Sequence, residues 1–377
     1  MNNERFLYNR INSKNSDFVM WMGFPGIYSF SMSSLGYLWM FKTIDEIDGV
    51  NIERICSDTE NTQYNISEVK VFGFSFSFDM DFLTIFSMLE KYNLPLKAKN
   101  REKFPLIFAG GPVVSANPEP YKEFFDFFII GDGEDVNLKV IDICKVNQAR
   151  TKDYILKQLS EIEGVYVPQY PKKVKKLTKK LSECIYTPVL SKNAFFKDTF
   201  ILEMSRGCAN RCGFCLASYL NLPLRCVPYD ELLKTIDLGL KYTNKIALLG
   251  AQISAHPHFH DVCKYIYDKI QNGEQIEMSV SSLRVDAITP DVVKTLVAGG
   301  QKNSTLAIEA GSDRLRKVIN KNLTENQIFE AVKIARANGL KGLKFYGMIG
   351  LPTETQEDLE EIVNLAKKLK KENKTII

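Results

Sequence analysis

Three cysteines lie within eight successive positions, in the segment Cys208-Ala-Asn-Arg-Cys212-Gly-Phe-Cys215. Thiolates are the usual ligands of iron–sulfur clusters, and a cubane cluster takes four of them. This C-x3-C-x2-C spacing supplies three ligands and leaves one iron open for a substrate or cofactor. The sequence therefore predicts a redox-active metal centre at Cys208, Cys212 and Cys215.

A structural zinc site is the alternative interpretation, with Cys226 or a histidine as the fourth ligand. Zinc sites usually pair their cysteines in two separate knuckles, which this spacing does not do. The histidines lie two positions apart, at His256, His258 and His260. Pro257 and the helix predicted after it favour a loop that enters a helix cap over a metal site. The remaining cysteines lie among apolar residues and are expected to be small buried hydrophobes: Cys56, Cys144, Cys184 and Cys263.

The cysteine segment follows the first strand of a regular alternation of strands and helices. Apolar runs predict strands at 199–204, 245–249, 276–281, 305–309 and 342–348, and amphipathic stretches predict helices at 230–241, 259–271, 290–298, 325–338 and 356–371. Helix starts carry capping residues: Thr289 before Pro290, Thr324 with Gln327, and Thr355 with Asp358. Residues 198–377 are therefore expected to form a partial TIM-like (β/α)6 barrel. Its cysteines would lie at the carboxyl end of the first strand, where active sites of such barrels lie.

The predicted barrel has five repeats, and residues 375–377 lie where a sixth strand would begin. A strand at an open edge leaves backbone groups unpaired, which is unfavourable. We therefore expect the sequence to be truncated near the sixth strand. A genuine short form is the alternative.

Residues 1–168 alternate short apolar runs with amphipathic stretches, as in βαβ units. Strands are predicted at 69–78, 105–109 and 125–130, and a helix at 79–92. Two of these strands end in glycine turns, Gly110-Gly111-Pro112 and Gly131-Asp132-Gly133. Glycine allows a sharp turn or a close approach to a ligand at the carboxyl edge of a parallel sheet. This part is expected to be a doubly wound, Rossmann-like α/β domain.

A connector is predicted between the two domains, at residues 169–197. Six of the residues in 171–181 are lysines: Lys172, Lys173, Lys175, Lys176, Lys179 and Lys180. A solvated linker is the simpler interpretation, and a contact for phosphates of a large substrate is the alternative. The whole chain has 49 basic and 45 acidic residues, a net charge of +4. This balance permits nucleic acid as a substrate without supporting it.

Membrane and secreted classes do not fit the sequence. The first 15 residues lack the basic-then-apolar order of a secretory signal. Apolar runs such as 124–130 are too short to cross a bilayer. Eight cysteines in 377 residues are too few for a disulfide scaffold. We expect a cytoplasmic protein with no membrane partner.

The C-x3-C-x2-C spacing, with Phe214 directly before the last cysteine, resembles the radical S-adenosylmethionine (SAM) superfamily. The resemblance implies a 4Fe-4S cluster at the three cysteines, with SAM on the open iron. Cleavage of SAM by an electron from the cluster then gives a 5′-deoxyadenosyl radical, which abstracts hydrogen from a substrate that the sequence does not identify. It also implies an electron donor such as flavodoxin or ferredoxin.

The resemblance assigns further contacts with SAM. Phe214 lies in the cysteine motif, and Gly250 and Ala251 correspond to a motif near the methionine amino group. The ribose and the methionine carboxylate are assigned to Ser281, Arg284, Glu309, Gly311 and Arg314, and the adenine to the turn that contains Met348 and Gly350. For both arginines an ordinary surface ion pair is the alternative. Segments 205–215, 282–286, 309–320 and 347–353 resemble a widespread, uncharacterised bacterial radical SAM family.

The N-terminal part resembles the cobalamin-binding-like domain that precedes many radical SAM barrels, on the segments 72–76, 109–112 and 127–134. Cobalamin domains carry a histidine loop after their first strand. The best candidate here, Ser31-Met-Ser33-Ser-Leu-Gly36, keeps the glycine and lacks the histidine. Serine cannot replace imidazole on cobalt. Either cobalamin binds without a protein ligand, or the domain has kept the fold and lost the cofactor.

Three functions follow as hypotheses. The first is a radical SAM enzyme, with methyl transfer through cobalamin as one form. The second is RNA modification of the methylthiotransferase type, whose members carry three more N-terminal cysteines, where this chain has only Cys56 and Cys144. The third is a non-catalytic sensor or scaffold that binds SAM without cleaving it.

Overall fold

The computed structural model describes residues 4–10, 16–280 and 283–373. The chain forms two compact units. Unit 1 comprises Met1–Lys180 and Thr187–Asp198, and unit 2 comprises Leu181–Tyr186 and Thr199–Ile377. The sequence-based division at residues 168 and 197 stays a prediction.

Unit 1 alternates strands and helices along most of its length. Its described elements are β1 (Glu4–Phe6), β2 (Val19–Phe24), α1 (Tyr28–Ser31), α2 (Leu35–Asp45), β3 (Asn51–Cys56), β4 (Val69–Ser75), α3 (Asp81–Lys91), β5 (Leu106–Gly110), α4 (Pro112–Ala116), β6 (Phe127–Ile129), α5 (Glu134–Val146), α6 (Lys152–Ser160), β7 (Val165–Tyr166) and β8 (Val189–Ser191).

A single sheet in the order β3-β2-β4-β5-β6-β7 forms the centre of unit 1. Its strands are parallel from β3 to β6, and β7 pairs antiparallel with β6. Successive residues of β2 enter two different core clusters, Met20 and Met22 in one and Val19 and Trp21 in the other. Because successive strand residues point to opposite faces, both faces of the sheet are covered. The predicted doubly wound α/β fold is confirmed.

The structure corrects details of the strands predicted in unit 1. β4 ends at Ser75, before the predicted end at residue 78. The reason is that the amides of Ser77 and Phe78 donate to the Asp81 carboxylate at 3.2 and 2.9 Å, at the start of α3. The sequence prediction also left β2 and β3 unassigned. In β3 the charged pair Glu53 and Arg54 interrupts the apolar pattern.

Unit 2 repeats a strand and a helix from residue 200 onwards. Its described elements are β9 (Phe200–Arg206), α7 (Leu216–Leu220), β10 (Arg225–Cys226), α8 (Tyr229–Leu240), β11 (Lys245–Gly250), α9 (Phe259–Gln271), β12 (Glu277–Val280), α10 (Pro290–Ala298), β13 (Asn303–Glu309), α11 (Asp313–Val318), α12 (Glu325–Ala337), β14 (Gly342–Gly347) and α13 (Gln356–Asn373).

The strands of unit 2 follow the order expected of a β/α barrel. β9, β11 and β12 are parallel neighbours, as are β13 and β14, and β10 pairs antiparallel with β9. A single parallel bridge between Leu283 and Leu306 connects the segment after β12 to β13. The predicted α/β class with parallel strands is confirmed. The predicted start of a sixth strand at 375–377 lies outside the described residues.

Capping residues begin the helices of unit 2 where the sequence predicts them. The Thr289 hydroxyl accepts a bond from the Val292 amide at the start of α10. Thr324 and Gln327 form a complete capping box at α12. The short elements α7, β10 and α11 were not predicted, because runs of two to six residues carry no measurable periodicity. No helix in the described part of the chain is long and apolar enough to span a membrane.

Candidate active site

The cysteine loop, residues 207–215, connects β9 to α7 at the carboxyl end of the parallel strands. Gly207 begins it with a φ of +91°, and a Cβ there would lie 2.3 Å from the carbonyl oxygen of Asn221. Only glycine fits that conformation and that space. At the other end the Cys215 amide donates to the Cys212 carbonyl at 3.0 Å, and the Ser218 hydroxyl donates to the Cys215 carbonyl at 2.8 Å.

The turn after α11 holds the middle of this loop. The side-chain amide of Asn320 donates to the carbonyl oxygens of Asn210 and Arg211, both at 2.9 Å. The Gly213 amide donates to the Ile319 carbonyl at 2.9 Å. These three bonds connect residues more than one hundred positions apart and fix the loop backbone on both sides of the second cysteine, Cys212.

The three thiols occupy one neighbourhood. Cys212 is buried, with 7% of its surface exposed, and Cys208 and Cys215 are half-buried. Burial raises the pKa of the Cys212 thiol, the positive charges of Lys321 and Arg284 lower it, and the nearby thiols of Cys208 and Cys215 raise it. Burial is the largest of these effects, so the pKa of the Cys212 thiol is raised, and a metal ion would displace its proton on binding. The sulfurs form a soft donor set of the kind that iron–sulfur clusters and zinc take.

Gln252, after β11, contacts the first cysteine. Its side-chain oxygen accepts hydrogen bonds from the Cys208 thiol at 3.2 Å and from the Asn210 side-chain amide at 2.6 Å. The Asn210 amide also approaches the Cys208 sulfur at 3.4 Å. Gln252 lies in the segment 249–252 that the sequence relates to SAM binding, but only Gly250 and Ala251 were predicted as contacts.

Neither a histidine nor Cys226 joins the three cysteines. Among the described residues no group of three Cys, His, Asp or Glu side chains, Cys208, Cys212 and Cys215 included, is close enough in this arrangement to hold a metal ion. His256 is buried and bonded through Nε2 to the Val227 carbonyl at 2.8 Å, and burial lowers its pKa. His258 pairs with Asp261 at 2.8 Å. His256 and His258 thus have structural partners within unit 2.

A buried ion pair lies beside the cysteine loop. Lys321 Nζ is 3.0 Å from Glu309 Oε1, and both side chains are about nine-tenths buried. Glu309 has a φ of +67°, which is strained for a residue with a side chain. Its carbonyl accepts a bond from the Met348 amide at 2.7 Å. Glu309 was predicted from the sequence as a contact of SAM, whereas Lys321, the group that neutralises it, was not predicted.

Both predicted arginines have carboxylate partners in the chain. Arg284 Nε is 3.1 Å from Asp286 Oδ1, and the positive charge of its guanidinium lowers the pKa of the Cys212 thiol. Arg314 donates to the Thr353 carbonyl at 2.8 Å and forms an ion pair with Asp358. The hydrogen bond from Arg314, with a second from the Ser312 hydroxyl, holds the pKa of Asp358 well below its usual range. Contact of either arginine with SAM stays a prediction.

Two predicted glycines are sites of close packing. A Cβ on Gly311 would lie 2.1 Å from the Ile362 backbone nitrogen in α13. A Cβ on Gly250 would lie 2.8 Å from the Ser205 hydroxyl. That hydroxyl is buried and has no hydrogen-bond partner among the described residues. Gly250 therefore lies next to a buried hydroxyl that has no hydrogen-bond partner among the described residues, near the start of the cysteine loop.

The other predicted contacts lie around the same end of unit 2. Phe214 and Ala251 are exposed, and the Met348 side chain packs on a small cluster that contains Leu351. Gly350 has a φ of +81°, and its amide donates to the Glu354 carboxylate at 2.7 Å. Ser281 lies outside the described residues.

Arg316 organises the segment between β13 and α12, and the sequence analysis missed it. It is fully buried, and its guanidinium donates to the carbonyls of Ala310, Gly311 and Leu323 at 2.6, 2.9 and 2.8 Å. Both Arg314 and Arg316 lie in α11, which has only six residues, too few for its buried face to be recognised from the sequence. The buried arginine therefore could not be distinguished from the exposed one.

We call residues 31–36 of unit 1 the serine loop. It contains no histidine and therefore no imidazole that could bind cobalt. Ser31 is buried at the end of α1, where its hydroxyl donates to the Tyr28 carbonyl at 2.8 Å and accepts from the Cys56 thiol at 3.2 Å. The Ser33 hydroxyl accepts a bond from the Phe196 amide at 3.1 Å. These hydroxyls support the fold of unit 1.

Comparison with known families matches both parts of the chain. Residues 40–168 match the family described as Radical SAM proteins, N-terminal, and residues 202–366 match the Radical SAM superfamily. Uncharacterized protein MJ0966 of Methanocaldococcus jannaschii is 37% identical over 308 residues, which are 78% of this chain and 64% of that protein. Uncharacterized methyltransferase PH0819 of Pyrococcus horikoshii is 27% identical over 304 residues, which are 76% of this chain and 63% of that protein. The chain thus spans less than two thirds of the length of these relatives.

Solved structures show the same fold over nearly the whole chain. OxsB, a cobalamin-dependent SAM radical enzyme solved with aqua-cobalamin, has a TM-score of 0.67 and 17% identity over 93% of this chain and 52% of its own. The radical SAM methyltransferase TsrM of Kitasatospora setae has a TM-score of 0.66 and 13% identity over 94% of this chain and 70% of its own. The chain therefore contains a radical SAM domain at residues 202–366 and, before it, the N-terminal domain of radical SAM proteins at residues 40–168.

Proposed function

We propose that this chain is the catalytic part of a radical SAM enzyme, with a 4Fe-4S cluster on Cys208, Cys212 and Cys215. The observation that supports this most strongly is that one buried and two half-buried thiols lie on the same loop at the carboxyl end of the strands. This loop lies within the residues that match the radical SAM superfamily. When bound, the cluster and SAM supply a 5′-deoxyadenosyl radical that removes a hydrogen atom from the substrate.

The chain's own residues hold and shield this centre. Lys321 and Arg284 lie close enough to Cys212 for their positive charges to lower the pKa of its thiol, against the larger effect of burial. Asn320 fixes the loop backbone, which sets the positions of the sulfurs. Burial of Cys212 excludes water from one side of the loop.

SAM is proposed to bind around the same loop. Gly250 and the unpartnered Ser205 hydroxyl offer a polar contact in a position too narrow for a larger residue. Of the two arginines, Arg284 is the better candidate for the methionine carboxylate, because its charge reaches Cys212. Arg314 is held by Thr353 and Asp358.

Methyl transfer through cobalamin is the finer form of this proposal. It is supported by the doubly wound sheet of unit 1 and by exposed apolar side chains after its strands. Phe30, Phe78 and Met80 are 49%, 74% and 68% exposed, and a flat corrin ring could cover such groups. Since the serine loop offers no imidazole, cobalamin would bind without a protein ligand on cobalt. A visible spectrum of the protein mixed with cobalamin tests this, and an unchanged spectrum after gel filtration would contradict it.

Methylthiotransferase activity is less well supported. A relative named tRNA-2-methylthio-N(6)-dimethylallyladenosine synthase, from Clostridium beijerinckii, is 23% identical over 60% of this chain and 54% of its own. A second cluster would need further accessible cysteines. Cys56 and Cys144 are buried in unit 1, and burial raises the pKa of their thiols to about 11 and about 12. They are poor ligands.

Anaerobic reconstitution with iron and sulfide, followed by dithionite and SAM, tests the proposal. We expect 5′-deoxyadenosine from the wild type and from Cys226→Ala, and none from Cys208→Ala. An intact cluster that releases no 5′-deoxyadenosine would favour a sensor or scaffold instead. Flavodoxin or ferredoxin as the natural donor, and a cytoplasmic location, stay predictions.

A further inference from the structure

A lysine-rich segment of unit 1 has no role in the function proposed above. We call residues 171–180 the basic strap, and its lysines are Lys172, Lys173, Lys175, Lys176, Lys179 and Lys180. The strap contains no acidic residue. Lysine-rich segments of this kind are often mobile linkers. This one is bonded to the rest of unit 1.

Backbone bonds fix the strap against the turn after β6. The Leu177 amide donates to the Ile130 carbonyl at 2.9 Å, and the Asp132 amide donates to the Leu177 carbonyl at 3.1 Å. The Lys179 amide donates to the Asp132 carboxylate at 2.7 Å. The strap is therefore an ordered part of unit 1.

Apolar side chains of the strap point into unit 1. Val174 packs on the core cluster that contains Trp21, and Leu177 packs on the cluster that contains Met20. Leu177 also fills the space beside Gly164, where a Cβ would lie 2.2 Å from its side chain. With both apolar groups directed inward, the surface of the strap carries its lysines.

Four of these lysines are exposed and lack an ion-pair partner among residues 4–10, 16–280 and 283–373: Lys172, Lys173, Lys175 and Lys180. Lys179 is paired with Asp135 at 2.8 Å. Fixing like charges in one row is unfavourable unless an anion neutralises them. The fold thus holds a row of cations ready for a polyanion.

We propose that the basic strap is a binding surface for the phosphate backbone of RNA. An extended chain rises about 3.3 Å per residue, so the strap reaches several consecutive phosphates. An anionic membrane is the weaker partner, because membrane-binding basic segments also insert apolar side chains, and those of the strap pack against the core clusters of unit 1. The inference does not depend on the reaction proposed above.

Fluorescence anisotropy with a labelled 20-nucleotide poly-uridine strand and the full chain tests this surface. The variant Lys172→Ala, Lys173→Ala, Lys175→Ala should bind about tenfold more weakly near physiological salt, and its log–log salt slope should be smaller by about 2, at 0.7 per lost phosphate contact. The control Lys241→Ala, Lys294→Ala, Lys302→Ala removes three exposed lysines of unit 2 and should bind as the wild type does.

Three results would overturn the proposal. These are equal RNA binding by the strap variant and the wild type, no RNA binding by the wild type at low salt, and a larger loss of binding to phosphatidylserine vesicles than to RNA. Because the three substituted lysines make no ion pair, the thermal midpoint of the strap variant should match that of the control. Loss of RNA binding therefore could not be attributed to unfolding.

Discussion

Asn320→Gly removes both hydrogen bonds that the side chain of Asn320 donates to the cysteine loop, and glycine keeps the backbone at the observed φ of +54° without a steric cost. A hydrogen bond contributes about 1 kcal/mol net, and this pair is exposed enough for water to replace part of it. We expect about 1–2 kcal/mol less resistance of the loop to local opening, which corresponds to roughly 5–30-fold more of the open form.

Chelator-driven release of iron from the reconstituted protein measures that opening. If the loop opens and closes faster than the chelator acts, the release rate should rise by about the same factor of 5–30. The matched control is Asn338→Gly, which removes a 2.8 Å bond to the Ile334 carbonyl at the end of α12, away from the loop. An unchanged release rate in Asn320→Gly, with iron bound at the wild-type level, would show that these two hydrogen bonds do not hold the loop closed.

Further substitutions test the packing and charges around the loop. Gly311→Ala places a methyl group against the backbone of α13 and should lower the free energy of unfolding by about 3 kcal/mol or more in urea, whereas Gly36→Ala, with open space around it, should be neutral or stabilising. Lys321→Met leaves the Glu309 carboxylate buried without its partner and should cost about 3 kcal/mol in the same assay; a cost under about 0.5 kcal/mol would contradict the pairing. The Asp358 pKa is lower in the folded state than in the unfolded chain, so its stabilisation is complete above about pH 4 and is lost as the pH falls further. Asp358→Asn should therefore flatten the fall of the urea midpoint between about pH 4 and roughly pH 2, and an equally steep fall in both proteins would show that Asp358 does not contribute.

The strands and helices of unit 2 could be predicted because they are long and periodic. Helix starts such as Thr324 with Gln327 depend only on residues within one turn, so the sequence contains the whole capping interaction. In unit 1 the strand β3 was missed because Glu53 is satisfied by distant partners. Its carboxylate accepts a bond from the Trp21 indole at 3.0 Å, a contact that local sequence does not show.

The candidate site could be predicted only in part for a similar reason. The spacing of Cys208, Cys212 and Cys215 is local and visible in the sequence. The hydrogen bonds from Asn320 to the cysteine loop and the ion pair of Lys321 with Glu309 depend on which loops meet at the ends of the strands. Gly311 is an example. The sequence predicts it as a contact of SAM, whereas the structure shows that a side chain there would collide with the backbone of α13, so the glycine is also needed for helix packing.

Iron content and electron paramagnetic resonance of the anaerobically reconstituted, reduced protein test the central claim most directly. We expect about four irons per chain and one cluster signal that changes when SAM is added, both lost when Cys208, Cys212 and Cys215 are replaced by alanine. Uptake of zinc in place of iron, or full iron retention by the triple variant, would contradict it.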